Sequence, residues 1–330
     1  MIEVMRTAGP AGTAVLVVAA ACVAMLPWLV DTYYLQLASV ALVTAMFALS
    51  MQLLVGGAGL VSLGHAAFFG IGAYTVRYAG LLTDAPSVLL TLPAAAVLAG
   101  LAALLVGALA LRTRGFFFLM TTLAFGQMLF FLYHDTPLGG GADGVFVTRP
   151  ALSAFGFHHA VGRRDWPGVL LLLNLGVLVA MYAGLAALLR TLFGRALLGI
   201  RANEHRMRSL GFDTYRLKLA AFTVAGMLAG VAGHMWAMME ASVNPEMLGW
   251  HRSAEGLLAV LLGGIGFLHG PVLGAFVWVG LGEVAQSITE RQRLVQGFVI
   301  LLAVLALPRG MAGLRWPGRR LRAMAVEAKL

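Results

Sequence analysis

Apolar residues in this chain do not alternate with polar ones. They run in long blocks, separated by short polar or glycine-rich stretches. A helix needs about 20 apolar residues to cross a bilayer. On that measure the blocks predict spans at 11–30, 33–55, 60–80, 86–111, 115–134, 167–190, 216–240, 253–269, 271–288 and 294–308. Glycine interrupts the third, and the eighth and tenth are short, so about eight to ten full crossings are expected, with ten as the reading that fits best. Barrel strands would show short segments of strict alternation, and these segments are apolar all round. The expected fold class is therefore an all-α polytopic membrane protein, with 1–330 forming one transmembrane domain whose spans cover roughly 11–308.

Composition agrees: 60% of the 330 residues are hydrophobic and 11% are charged. A net charge of +9 points in such a chain to basic cytoplasmic loops rather than to nucleic acid. Basic residues gather between Arg190 and Lys218, at Arg112 and Arg114, at Arg6, and in a tail at 309–330 (Arg309, Arg315, Arg319, Arg320, Arg322, Lys329). With ten crossings all of these fall on the cytoplasmic side. The glycine-rich loop 135–166, with Asp135, Asp143 and Asp165, falls outside. Pro27 and Trp28 stand where a signal peptide would end, so 11–30 is expected to be a retained span. Cys22 is the sole cysteine, expected to be a small buried apolar group.

Several chemistries are missing from the sequence. Neither lysine, Lys218 or Lys329, follows a glycine, so there is no phosphate-binding G-x-x-x-x-G-K-[ST] loop. There is no H-E-x-x-H, no G-x-S-x-G, and no convergent nucleophile, base and orienting group. No enzymatic role and no bound metal or cofactor is expected of this chain. Glu255 and Glu283 lie within or near apolar spans. Neither shows an obvious basic partner at helical spacing, so the paired acid and base of a proton-coupled transporter is not apparent.

Two polar regions stand out. Gly56, Gly57, Gly59 and Gly64 thin the third span, which also holds Ser62, His65, Phe68, Phe69 and Tyr74. Glycine permits close helix packing or a broken helix, and broken helices in a bilayer survive only against protein or a wet cavity. If the segment is helical, Ser62 and His65 share a face. His65 reads either as a gate beside a passage or as a packed structural histidine. Thr121 and Thr122 in the fifth span read either as backbone-bonded hydroxyls or as passage lining. Gly263, Gly264 and Gly266 echo the first glycine group. The second region is 191–215, where Arg201 to Leu210 carries neither proline nor glycine and predicts about three helical turns. Asn203 is a candidate N-cap and Gly211 a candidate C′ residue. Met207 and Leu210 share an apolar face.

Four blocks in order carry a resemblance: LLVGGAGLVSLGHAAFFGIGAYT at 53–75; RTRGFFFLMTTLAFGQ at 112–127 with GGGADGV at 139–145; GRALLGIRANEHRMRSLGFDTYRLKLAAF at 194–222; and LLAVLLGGIGFLHGPVLGAF at 257–276 with LPRGMAGL at 307–314. The chain resembles the permease subunits of branched-chain amino acid ABC importers, of the LivM type. The resemblance implies a multi-pass subunit of a bacterial inner membrane that works by alternating access, with leucine, isoleucine and valine as default substrates. Similar permeases serve urea, amides or aromatic acids. It implies a second homologous permease, two ATPase subunits that use ATP and Mg at the cytoplasmic face, and a periplasmic solute-binding protein. It makes 191–215 the ATPase-coupling loop, with Arg195, Arg201, Asn203, Glu204, Arg206, Met207, Leu210 and Gly211 as the contacting residues.

Overall fold

Twelve helices, in a computed structural model, organise the described residues, which are 10–82, 86–148, 153–154, 157–158, 165–306 and 310–313. They are α1 (Pro10–Leu29), α2 (Thr32–Gln52), α3 (His65–Leu82), α4 (Val88–Ala110), α5 (Phe116–His134), α6 (Trp166–Arg190), α7 (Leu192–Ala202), α8 (Glu204–Ser209), α9 (Thr214–Glu240), α10 (Trp250–Gly263), α11 (Gly270–Ile288) and α12 (Gln292–Ala306). The chain is an all-α polytopic membrane protein. Among the described residues six helices are long and apolar enough to cross a bilayer: α2 with its continuation to Ala58, α4, α5, α6, α9 and α11. The segments marked in the sequence as interrupted or short are α3, α10 and α12. The basic tail and Arg6 lie outside the described residues.

α2 is the central element, buried all round from Ala41 to Gln52, as expected of a helix with no polar face. α9 packs beside it against α3 and α4, and small residues set that spacing. Ala95, Ala99 and Ala103 form a fully buried stripe on α4, facing Gly226 and Gly230 of α9. At Gly72 an added Cβ would stand 2.0 Å from the Gly230 carbonyl oxygen. Lipid tails are as apolar as leucine, so packing of this closeness, rather than burial from water, holds membrane helices together. A Thr91 Oγ1–His234 Nε2 hydrogen bond of 2.8 Å clasps α4 to α9. Cys22 departs from expectation: it is exposed on α1, because α1 packs only along one side of the bundle, against α6 and α2.

The bundle has two distinct ends. At one, the Tyr215 hydroxyl donates to the Ala108 carbonyl across 2.9 Å. This brings the start of α9, the end of α4 with Arg112 and Arg114, and the α7–α8 pair together. At the other, Val145 and Phe146 pair antiparallel with Val243 and Ser242, and the Tyr74 hydroxyl donates to the Gly139 carbonyl at 3.0 Å. Among the described residues, Arg112, Arg114 and the basic segment of α7 and α8 share the first end, and 139–148 of the glycine-rich loop lie at the second.

Candidate functional site

The site at the basic end starts from the way α2 stops. Its last turn widens into a π-helical turn, Leu53–Ala58, closed by Gly59 in the left-handed region (φ 70°). Residues 59–64 are not helical and α3 begins at His65. Ser62 and His65 therefore do not share a helix face, which corrects the sequence expectation: the glycines end the helix instead of merely thinning it. Gly64 meets α5 so closely that a Cβ there would stand 2.0 Å from the Thr122 carbonyl oxygen. Thr122 is buried, and its hydroxyl donates back to the Leu119 carbonyl at 2.9 Å. Thr121 is half-buried.

His65 is fully buried. Its Nε2 lies 2.9 Å from Ser50 Oγ, and the rings of Phe47 and Phe68 flank it at 5.5 and 5.7 Å. The Ser50 hydroxyl donates to the Phe47 carbonyl at 2.7 Å, which leaves its oxygen able to accept from a His65 Nε2–H. Phe68, Phe69 and Tyr74 are buried as well, and Ser62 Oγ is buried without a partner. All the candidate pathway residues on this segment are interior in this conformation. A passage beside them requires the helices to part.

α7 lies across the broken end of α2. The Thr191 hydroxyl caps it, accepting from Gly194 N–H at 3.4 Å. Leu197 is fully buried against Gly57, and the Arg201 stem covers Gly59. Arg201 Nη1 donates to the Gly56 carbonyl, one of the groups that the end of α2 leaves without a helical partner. Burial pushes the Arg201 guanidinium pKa down from its ordinary value. Arg201 is thus half-buried, with Nη1 spent inside the protein on the end of α2.

The single helix expected over Arg201–Leu210 is in fact two. α7 ends at Ala202, and Asn203 caps α8, its Oδ1 accepting from Arg206 N–H at 2.9 Å. An asparagine side chain competes for backbone donors, so this turn breaks without proline or glycine. Gly211 (φ 84°) follows α8. Phe212 N–H reaches the Met207 carbonyl at 3.1 Å and Gly211 N–H the Arg208 carbonyl at 2.9 Å, a Schellman closure.

Glu204 ties α8 to α9. Its Oε1 accepts from Lys218 Nζ at 2.9 Å, from Arg208 Nη2 at 2.5 Å and from the Thr214 hydroxyl at 3.1 Å. Burial pushes its carboxyl up, but hydrogen bonding and charge from Lys218, with Arg208 and Thr214, prevail and hold it down at about 2. Glu204 is thus also an internal anchor. Met207 packs its sulfur on Gly199 of α7. What remains outward is Arg195 and Arg206, both exposed, with Leu210 at 67% and Phe212 at 45% exposure. Sequence reasoning overlooked Phe212, although an aromatic residue straight after a helix-ending glycine was a visible signal.

The second glycine group also ends a helix. α10 closes at Gly263, Gly264 takes φ 106°, and Gly266 lies in the turn to α11. Gln52 Nε2 holds that turn, donating to the Ile265 and Phe267 carbonyls at 2.7 and 3.2 Å. At the opposite end of α10, Arg252 Nη1 pairs with Glu255 Oε2 at 3.0 Å. This corrects the expectation that Glu255 has no basic partner: the i,i+3 spacing was legible and was missed. Glu283 accepts a hydrogen bond from the Tyr33 hydroxyl.

The family described as "Branched-chain amino acid transport system / permease component" matches residues 33–304. The high-affinity branched-chain amino acid transport system permease protein LivM of Escherichia coli (strain K12) is 29% identical over 325 residues, covering 92% of this chain and 75% of that protein. Its counterpart in Salmonella typhimurium (strain LT2) is 30% identical over 318 residues, covering 90% and 74%. The permease protein LivH of the same Escherichia coli system is 29% identical over 116 residues, covering 34% and 37%. No solved structure matches the chain.

Proposed function

Since this chain belongs to the family of permease components of branched-chain amino acid transport systems, we propose that it is a transmembrane subunit of an ATP-driven importer for leucine, isoleucine and valine in a bacterial inner membrane. It pairs with a second, homologous permease, as the partial match to LivH suggests. Two ATPase subunits dock on the basic end, which is cytoplasmic by the positive-inside rule, and bind the ATP and Mg themselves. A periplasmic binding protein delivers substrate to the loop end. The permease domain contributes no cofactor.

The observation that carries this reading is the wiring of α7 and α8. Their outer surface offers Leu210, Phe212, Arg195 and Arg206 to a partner. Their inner surface holds the end of α2 through Arg201 and Gly56, and the start of α9 through Glu204 and Lys218. A docked subunit that moves α8 therefore moves two helices that flank His65 and Phe68. A ligand shifts an equilibrium only by its differential affinity for the two states. Here the ATPases supply that difference by gripping α8 differently when nucleotide is bound and when it is released.

The test is co-purification. Leu210→Asp and Phe212→Asp place a charge on the docking surface without touching either internal anchor. Both variants are expected to insert normally, to recover much less ATPase subunit from detergent extracts, and to lose leucine uptake. Wild-type recovery and uptake in both variants would sink the proposal.

A further inference from the structure

Arg252 and Glu255 occupy one face of the first turns of α10. The Arg252 guanidinium lies over the Trp236 ring at 4.4 Å and over the Phe69 ring at 5.2 Å, and the two rings meet edge to face at 6.2 Å. Nη1 donates to Glu255 Oε2, while Nη2 is buried and has no acceptor. The Arg252 side chain is 18% exposed and that of Glu255 39%. Ser253, the next residue, accepts from Ala66 N–H at 2.8 Å and seats this turn on the start of α3. Phe69 lies five residues below Tyr74, which touches the loop end, so the cluster sits about 7 Å into the bundle.

A buried charged donor left without a partner is costly, and ionisable groups at membrane depth mark functional sites. The aromatic rings hold the guanidinium by cation–π attraction without using its N–H groups. Nη2 therefore stays without an acceptor, and once Glu255 yields Nη1 the Nη1–Nη2 edge fits a carboxylate in bidentate fashion. Glu255, beside it and partly exposed, supplies the complementary anion. The free head of an α-amino acid carries a carboxylate and an ammonium on one carbon and matches such a pair group for group.

We propose that Arg252 and Glu255 bind the zwitterionic head of the transported α-amino acid by exchange of partners. The substrate carboxylate takes the place of Glu255 on the Arg252 guanidinium, the substrate ammonium takes the Glu255 carboxylate, and Phe69 and Trp236 keep the guanidinium in position. No covalent bond changes. This inference rests on the amino-acid import reading above and goes beyond it by naming the side chains that recognise the head group.

The test uses the complete purified importer, without its binding protein, in competition against radiolabelled leucine. The competitors are leucine, leucinamide (no carboxylate) and 4-methylpentanoate (no ammonium). For the wild type, each analogue is expected to compete about tenfold more weakly than leucine. Arg252→Gln is expected to abolish the preference for leucine over leucinamide while keeping the preference over 4-methylpentanoate. Glu255→Gln is expected to do the reverse. Arg252→Lys serves if the glutamine variant does not assemble, and it should weaken leucine while retaining the discrimination against leucinamide. Variants that weaken all three ligands alike, or a wild type that takes up leucine but does not discriminate among them, overturn the site. A wild-type importer that takes up no leucine in liposomes even when its binding protein is supplied sinks the amino-acid reading itself, which is a separate result.

Discussion

Glu204 accepts hydrogen bonds from Lys218, Arg208 and Thr214, and Lys218 is 7% exposed. Glu204→Gln leaves that ammonium buried beside a neutral amide. The variant is expected to lose about 2 kcal/mol, read as a lower melting temperature of the purified complex. Glu204→Gln combined with Lys218→Met is expected to recover part of the loss, because removing both charges is cheaper than stranding one. A carboxyl held below its unfolded value stabilises the fold above about pH 4 and loses that contribution as pH falls towards the folded value, here about 2. The latch should therefore not titrate between about pH 8 and pH 5. Glycine gives a second prediction. Gly64→Ala drives a Cβ to 2.0 Å from the Thr122 carbonyl, whereas Gly176 has open space around it. Gly64→Ala is expected to cost about 3 kcal/mol. Gly176→Ala should gain about 0.5–1 kcal/mol from helix propensity, both read by thermal unfolding. Legibility at this scale followed sequence distance. The Asn203 cap and the Gly211 closure depend on neighbours three to five residues away and could be read directly. Of the partners of Glu204, Arg208 at i+4 was within reach of such a reading, but Lys218 stands fourteen residues off across a turn, and the partner of His65 stands fifteen residues off across a helix break, so those two could not be read.

The widened end of α2 shows what is legible about an element. Gly59 in a left-handed conformation announced itself as a glycine in an apolar run. The π-helical turn before it did not, because its residues, Leu53 to Ala58, are equally compatible with an ordinary helix. Arg201 stabilises that turn from outside by taking the Gly56 carbonyl, and wide turns of this kind concentrate at functional positions. Arg201→Ala removes the donor and leaves the carbonyl orphaned at the place where α7 rests on the end of α2. ATPase subunits are expected to stay bound, because Leu210 and Phe212 are untouched, while leucine uptake falls about tenfold or more. Co-purification with intact yield alongside impaired uptake verifies this; uptake at the wild-type rate shows that α7 does not act through Gly56. Two neighbouring substitutions, Arg201→Ala and Phe212→Asp, thus separate transmission from docking.

The whole molecule stands or falls on its orientation. The two ends of the bundle differ in kind. Arg112, Arg114 and the α7–α8 pair share one, and the 139–148 segment, paired with Ser242–Val243, forms the other. Basic segments stay cytoplasmic because translocating them is unfavourable. On this basis Ser209 belongs inside, where the proposed ATPase subunits would dock, and Phe146, at 92% exposure, belongs outside, where the proposed binding protein would deliver substrate. The native Cys22 is exposed and has to be removed first, as Cys22→Ala. In that background Phe146→Cys is expected to react with a membrane-impermeant maleimide in intact spheroplasts. Ser209→Cys should react only after the membrane is opened with detergent. Neither position contacts an internal anchor, so both variants should import leucine normally, which certifies the orientation as that of working protein. Labelling of Ser209→Cys in sealed spheroplasts would put α8 on the side that holds no ATP. The coupling role of Leu210 and Phe212 would then be untenable whatever the family of the chain.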